Sequence, residues 1–254
     1  MGRLGQNFLA DSNLLDAIVE GAGILADDVV LEVGGGEGVL TRRLAERAAR
    51  VYVIELDRRL ADPLGALAAD AGNVELLWGD AMRLDLAGLD PSPTRMVANL
   101  PYSIATPLLL RTVAELPAVA AWTVMVQREI ADRLRAAPGS RTYGAPSVLV
   151  QIACEVKLLR AVDPAVFTPR PRVESALLGM RRTGPGADPG VARLVRAAFA
   201  HRRKTLAASV ELAGLASRRQ ARVALEHAGL DPAARAEALA PGEFLRLAGR
   251  LDSG

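Results

Sequence analysis

Residues 28–41 read DVVLEVGGGEGVLT, a β-branched apolar run that stops in a cluster of glycines and resumes with helical spacing. Glycines at 34, 35, 36 and 38 between a strand and a helix let backbone N–H groups, and the helix N-terminus behind them, approach a ligand closely. The rhythm repeats downstream: a helix at 39–48, the strand VYVIEL, a helix at 58–69, the strand VELLW, a loop, and the strand RMVA. Strands alternating with helices predict an α/β fold, a mainly parallel Rossmann-like sheet with helices on both faces. The pattern adds a helix over 104–116, a strand AWTVMVQ and a helix over 128–135. Two late runs, CEVKLLRAV and ESALLGMRR, flank the proline-bearing FTPRPRV and are expected to pair antiparallel at the sheet edge. TGPGADPG at 183–190 has linker composition, and the chain beyond it is Ala/Leu/Arg-rich and helical in period. The expected domains are therefore 1–182, carrying the sheet, and a small helical domain at 183–254.

An apolar fraction of 50% over 254 residues supports a sizeable core. No apolar run is long enough to span a membrane, and the opening MGRLGQNFLADSN lacks the regions of a signal peptide, so a cytoplasmic protein is expected. The single cysteine, Cys154, cannot form an internal disulfide and is read as a buried structural thiol. With His201 and His227 as the only histidines, no metal site is expected. The formal charge is +2 and the pI near 9.0. Nearly all the cations are arginines, Lys157 and Lys204 being the only lysines. Arginine forks suit phosphate, although GC-rich codon usage gives the same bias and is the first explanation.

Two ligand classes use a glycine loop of this kind. A dinucleotide fingerprint starting at Gly34 needs glycine or alanine at its sixth position, which here is Val39. The spacing fits E-x-G-x-G-x-G instead, from Glu32 through Gly34 and Gly36 to Gly38, and resembles motif I of S-adenosylmethionine-dependent methyltransferases. Glu55 ends the second strand, 21 residues after Gly34, where a carboxylate can accept from both ribose hydroxyls of an adenosine. Asp80, in LWGDAM after the third strand, lies where such enzymes hold the adenine amino group, with the Ala81 and Met82 backbone beside the ring. Either acid alone would be a strand-end cap or a solvated carboxylate. Successive strand C-termini carrying them favour a ligand, because open α/β sheets bind at that edge.

The fourth strand ends in VANLPYSIATP, residues 97–107. In its ordinary reading this is a strand-to-helix turn: Asn99 caps, Pro101 fixes φ and Tyr102 packs. At the cofactor edge it can instead be a pocket for a flat, nitrogen-bearing ring. An adenine N6 amine is a poor nucleophile because its lone pair is delocalised, so acceptors aimed at its hydrogens favour the tetrahedral nitrogen that transfer requires. The Asn99 side-chain oxygen and the Leu100 or Pro101 carbonyl can serve, while Tyr102 stacks on a base withdrawn from its helix.

NLPY, motif I, VIELD and GDAM together resemble amino-methyltransferases. The chain is similar nearly end to end to one branch, the small-subunit ribosomal RNA adenine N6-dimethyltransferases of the KsgA family. The likeness extends to LGQNFL at 4–9, MVQREIADRL at 125–134, YGAPSVLVQ at 143–151, VFTPRPRVESALL at 166–178, AFAHRRKTL at 198–206 and RAEALAPGEFLRLA at 235–248. It implies a class I methyltransferase fold, S-adenosyl-L-methionine as cofactor, and dimethylation of two adjacent adenosines near the 3′ end of small-subunit rRNA during ribosome biogenesis, by a monomer acting on immature subunits. Position by position, it implies contacts to the methionine half of the cofactor from Asn7 and Leu9, with Gly34 and Gly36 beside them. Glu55 then takes the ribose, Asp80 and Ala81 the adenine, and Asn99 both cofactor and target. Phe167, core by residue type alone, becomes a second aromatic of the target pocket. Arg170 and Arg172 in FTPRPRV, and Arg202, Arg203 and Lys204 in HRRKT, become phosphate contacts; Arg218, Arg219 and Arg222 are read as a solvated face.

Departures are Gly35 where the family commonly has proline, Glu37 where an apolar residue is common, and the short lead before GQNFL. The first two predict a more flexible and more acidic loop. The alternatives are a large-subunit adenine methyltransferase of the antibiotic-resistance type, a non-catalytic ribosome-assembly factor, and a nicotinamide oxidoreductase.

Overall fold

The computed structural model describes residues 8–9, 11–168, 170, 173–201 and 203–251. The chain divides into two compact units, one made of Met1–Ala131 with Glu155–Arg182, the other of Asp132–Cys154 with Thr183–Gly254.

In the first unit, β1 (Phe8–Leu9) and α1 (Ser12–Ala22) precede β2 (Val29–Val33), α2 (Val39–Ala45) and β3 (Arg50–Glu55). A 3-10 turn (Arg58–Leu60) leads into α3 (Ala61–Ala71), then β4 (Val74–Trp78), β5 (Arg95–Asn99), α4 (Ala105–Glu115), β6 (Ala121–Gln127) and α5 (Arg128–Leu134), the last running into the second unit. The helix expected at 58–69 thus opens as a 3-10 turn; Pro63, which has no N–H to donate, sits in the first turn of α3, where none is needed. The sheet has the order β4-β3-β2-β5-β6-β9-β7, with β7 (Cys154–Val162) and β9 (Ser175–Arg182) completing it. Pairs among β2 to β6 are parallel, and β9 runs antiparallel to β6. The two late runs are neighbours, as expected, but β9 lies between β6 and the edge strand β7. β1 pairs antiparallel with β8 (Phe167–Thr168) in a separate two-stranded ribbon.

Every residue of β2 is buried, as in a sheet covered on both faces. β6 shows how the cover is divided, since successive side chains of a strand point to opposite faces. Thr123 donates to the carbonyl of Gly21 in α1 (3.4 Å), whereas Trp122 donates to Thr112 in α4 (3.0 Å). Val30, Val51, Val53, Val97, Met125 and Leu177 form one apolar layer with Leu14, Leu15 and Ile18 of α1 and Leu40 and Leu44 of α2. Strand order reverses between β2 and β5, so the crevice of this doubly wound sheet opens above their C-terminal ends.

The second unit holds α6 (Ala145–Ala153), α7 (Pro189–Phe199), α8 (Leu206–Leu212), α9 (Arg218–His227) and α10 (Pro241–Leu251). Asp188, Thr205 and Ser217 cap α7, α8 and α9. The expected boundary after 182 is present, but 132–154 also belongs to the helical unit. The Tyr143 hydroxyl donates to the Leu239 carbonyl (2.9 Å), its ring meets Phe199 edge-on at 5.9 Å, and Phe199 meets Phe244 at 5.9 Å. The sequence reading places no helix at 145–153, where Val148, Val150 and Ile152 alternate as in a strand. Pro146 in the first turn and a 3.0 Å bond from Gly144 N–H to Ser147 Oγ start α6 there. Among the described residues no helix is long and apolar enough to cross a membrane.

Candidate active site

The glycine loop is shaped by backbone conformations that side chains resist. Gly34, Gly36 and Gly38 have φ of +85°, +57° and +81°. The loop is pinned by Gly34 N–H to Ile54 O (2.8 Å) and Gly38 N–H to Gly35 O (2.9 Å). Gly35 is buried, and a Cβ there would lie 2.5 Å from Val53. Val53 thus leaves no room for a side chain at this position. Glu37 is exposed.

A cavity of about 500 Å³ opens over the loop, and Gly34, Gly36, Glu55, Asp80, Ala81, Asn99, Leu100, Pro101 and Tyr102 all line it. One Glu55 oxygen accepts from Gly36 N–H (3.0 Å), and the other from Leu56 N–H (2.9 Å) and Asp57 N–H (2.8 Å). The carboxylate is thus fixed at the end of β3 and faces the loop after β2. Asp80 accepts from Met82 N–H (2.9 Å) and lies 3.6 Å from the exposed Arg83 guanidinium.

The NLPY knot is held by its backbone: Leu100 N–H donates to Met125 O and Ile104 N–H to Pro101 O, both at 3.1 Å. Asn99 is half-buried at the end of β5 and Leu100 is buried. A Cβ on Gly34 would stand 3.5 Å from the Pro101 ring and 3.6 Å from the Asn99 carbonyl, so glycine there keeps the gap between loop and knot open. The Tyr102 hydroxyl and Ser175 Oγ share a hydrogen bond of 2.7 Å.

Phe167, expected as a second aromatic of the target pocket, is set back from the cavity. It is 3% exposed, packs in the cluster around α1 with Leu14, Leu15 and Ile18, and does not line the cavity. Its strand β8 pairs it with Leu9, and an apolar ring in that register is drawn into the core. Asn7, Arg172 and Arg202 lie outside the described residues, as does the side chain of Leu9. Arg170 is exposed and 3.9 Å from Asp163. Arg203 and Lys204 are exposed in the turn before α8, which Thr205 caps.

The family model for ribosomal RNA adenine dimethylases matches residues 2–253. The chain belongs to this family. It is 44% identical over 251 residues to the ribosomal RNA small subunit methyltransferase A of Rubrobacter xylanophilus, covering 98% of this chain and 94% of that protein. The protein of the same name from Kineococcus radiotolerans is 46% identical over 261 residues, covering 99% and 86%. Among solved structures, a dimethyladenosine transferase from Plasmodium falciparum superposes with a TM-score of 0.81 at 27% identity, covering 94% of this chain and 95% of that one. The 23S rRNA methyltransferase ErmE superposes with a TM-score of 0.69 at 31% identity, covering 97% and 100%.

Three residues of this adenine dimethylase chain stand beside the site without a role assigned from sequence. Glu32, read only as the first letter of motif I, is 1% exposed, lines the cavity and accepts from Thr41 Oγ1 at 2.6 Å. Burial, with the negative charge of Glu55 adding to it and the Thr41 hydrogen bond opposing, pushes its carboxyl up to about 8. Ser175 anchors Tyr102, and Arg111 grips the loop that carries Asp80. A serine opening a strand and an arginine on an amphipathic helix carry no sequence signal for such contacts, since both link segments far apart in the chain.

Proposed function

We propose that the protein transfers methyl groups from S-adenosyl-L-methionine to N6 of two neighbouring adenosines near the 3′ end of small-subunit rRNA, yielding dimethyladenosines. One observation carries this reading: the glycine loop, Glu55 and Asp80 share a single cavity with the Asn99–Tyr102 knot. The residues fit the cofactor. About 500 Å³ is within the range of small-molecule sites, roughly 300–1,000 Å³. Glu55 is a fixed carboxylate at ribose height on the sheet edge, and Asp80 offers an acceptor to an exocyclic amine.

When bound, S-adenosylmethionine supplies an electrophilic methyl group on a sulfonium centre. The chain's own work is to aim an amine at it. Asn99 Oδ1 and the carbonyl of Leu100 or Pro101 accept the N6 hydrogens and draw the nitrogen lone pair out of the ring. The 3.1 Å bonds of Leu100 N–H and Ile104 N–H fix the backbone that carries those carbonyls. Tyr102, tethered through Ser175, stacks on the extruded base. No strong general base is needed if the proton leaves after transfer. Phe167, packed in the same cluster as the cavity-lining Leu15, is proposed as the second aromatic of the target pocket beside Tyr102.

Phosphate contacts are assigned to Arg170, Arg203 and Lys204, with Arg172 and Arg202 beside them in sequence. The protein is proposed to act as a monomer in the cytoplasm on immature small subunits. The small-subunit reading is preferred to the large-subunit one because the small-subunit relatives are 44% and 46% identical, against 31% for ErmE. The test is incubation of the purified protein and labelled S-adenosylmethionine with undermethylated small subunits and, separately, large-subunit RNA, followed by mass-spectrometric mapping. Label confined to two adjacent small-subunit adenosines is the expected result; label in large-subunit RNA would overturn the choice.

A further inference from the structure

β4 is an edge strand, so the loop that leaves it at Gly79 has no further strand to lean on. Its order comes from elsewhere. Within the loop, Asp80 accepts at its carbonyl from Arg83 N–H (2.8 Å) and Leu84 N–H (3.0 Å), and at its carboxylate from Met82 N–H (2.9 Å). From outside, Arg111 of α4 spans the turn: Nη1 donates to Ala81 O at 2.7 Å and Nη2 to Leu84 O at 2.8 Å. Its Nε donates to Glu115 one turn further along the helix (2.7 Å), and the side chain is only 16% exposed. A planar fork held by a carboxylate on one edge and two carbonyls on the other has little freedom left. α4 also begins directly after the NLPY knot, where Ile104 N–H returns to Pro101 O. One helix therefore holds the knot at its start and the Asp80 loop near its end.

We infer that Arg111 is the positioning residue for adenine recognition, fixing the Asp80 carboxylate and the Ala81 backbone so that the purine's amino edge is read. This rests on the proposed adenosine site. Asp80 is 40% exposed beside the still more exposed Arg83, so its direction depends on the loop backbone rather than on packing around its own side chain. Arg111 acts on that backbone and does not itself line the cavity. Its loss is expected to blur discrimination of the purine more than to weaken binding in general.

The experiment uses the full-length protein and two probes, S-adenosylhomocysteine and S-inosylhomocysteine, which differ at the purine 6-position, where an amine is replaced by an oxo group. Wild type should bind the adenosine probe more tightly, because only that probe offers a 6-amino donor to Asp80, where the inosine probe sets an oxygen acceptor against the carboxylate. In Arg111→Ala the adenosine affinity should fall about tenfold, the scale of one lost charge-assisted hydrogen bond, while the inosine affinity falls much less. Arg111→Lys retains the charge and reaches one carbonyl; it should recover part of the preference and serves as a second variant should alanine unfold the loop. Equal losses for both probes in a folded variant, or an undiminished preference, would overturn the inference. Failure of wild type itself to bind either probe would instead overturn the adenosine-site reading, and this inference with it.

Discussion

The carboxylate of Glu55 lies 3.0 Å from the backbone nitrogen of Gly36, so the last residue of β3 ties down the loop after β2. The same side chain is proposed to take the ribose, and one residue thereby shapes the cradle and contacts its occupant. Glu55→Ala should weaken cofactor binding by about 1.5–3 kcal/mol, the worth of hydrogen bonds to a charged acceptor. Titration calorimetry on a folded variant checks this, and unchanged affinity would remove Glu55 from the site.

Asn99 should behave differently. If its oxygen acts as the amine changes geometry, Asn99→Ala lowers the single-turnover rate about a hundredfold, the scale of one preorganised polar group lost at a transition state. Cofactor affinity should fall far less. A wild-type rate would take Asn99 out of the mechanism.

The buried Glu32 predicts a pH dependence of stability. In the unfolded chain its carboxyl ionises near 4.5, and in the folded protein near 8, so between those values the native state holds the proton that the unfolded state has lost. Stability from this group is full below about 4.5 and drains away as the pH rises to about 8. Glu32→Gln keeps an oxygen for Thr41 but cannot ionise. Urea unfolding of both proteins across this window should show wild type losing ground steadily to the glutamine variant; parallel curves would contradict the assignment.

Tyr102 and Ser175 should act as a unit. Ser175→Ala frees the Tyr102 hydroxyl and should raise the RNA KM by several-fold, about 1 kcal/mol for one hydrogen bond, without changing cofactor affinity. Tyr102→Phe should do the same. The double variant should be no worse than either single one, since both remove the same bond; additive losses would show that the pair is not coupled.

Arg203 and Lys204 are exposed in the turn before α8. Replacing both with glutamine should weaken RNA binding and flatten its salt dependence by roughly 0.7 per lost phosphate contact on a single strand. Cofactor binding should be untouched. An unaltered salt slope would return these cations to a merely solvated face.

Much of the fold was legible because the signals are local. Gly34, Gly36 and Gly38 announce themselves by needing positive φ, and VYVIEL or AWTVMVQ by apolar runs of strand length. Glu55, Asp80 and Asn99 could be brought to one edge on paper because parallel strands share a direction. Features decided by long-range packing escaped. Phe167 is the same ring in a pocket wall or a core, and its burial among Leu14, Leu15 and Ile18 follows from contacts far apart in the chain. Helix α6 hid behind alternating Val148, Val150 and Ile152, and its membership in the helical unit depends on Tyr143 meeting Phe199 from far along the chain. Arg111 reaches the Asp80 loop across about 30 residues, a distance at which no sequence pattern speaks.

The chain passes between its two units after Ala131, after Cys154 and after Arg182. A gene shortened to end at 182 would leave Tyr143 and α6 behind without Phe199, Phe244 and Leu239 to pack on. Ending the chain there removes most of the helical unit but strands the part that precedes Glu155. A deletion meant to spare the sheet unit has to excise 132–154 as well as 183–254, and so must rejoin the chain across a gap in its middle rather than merely shorten it.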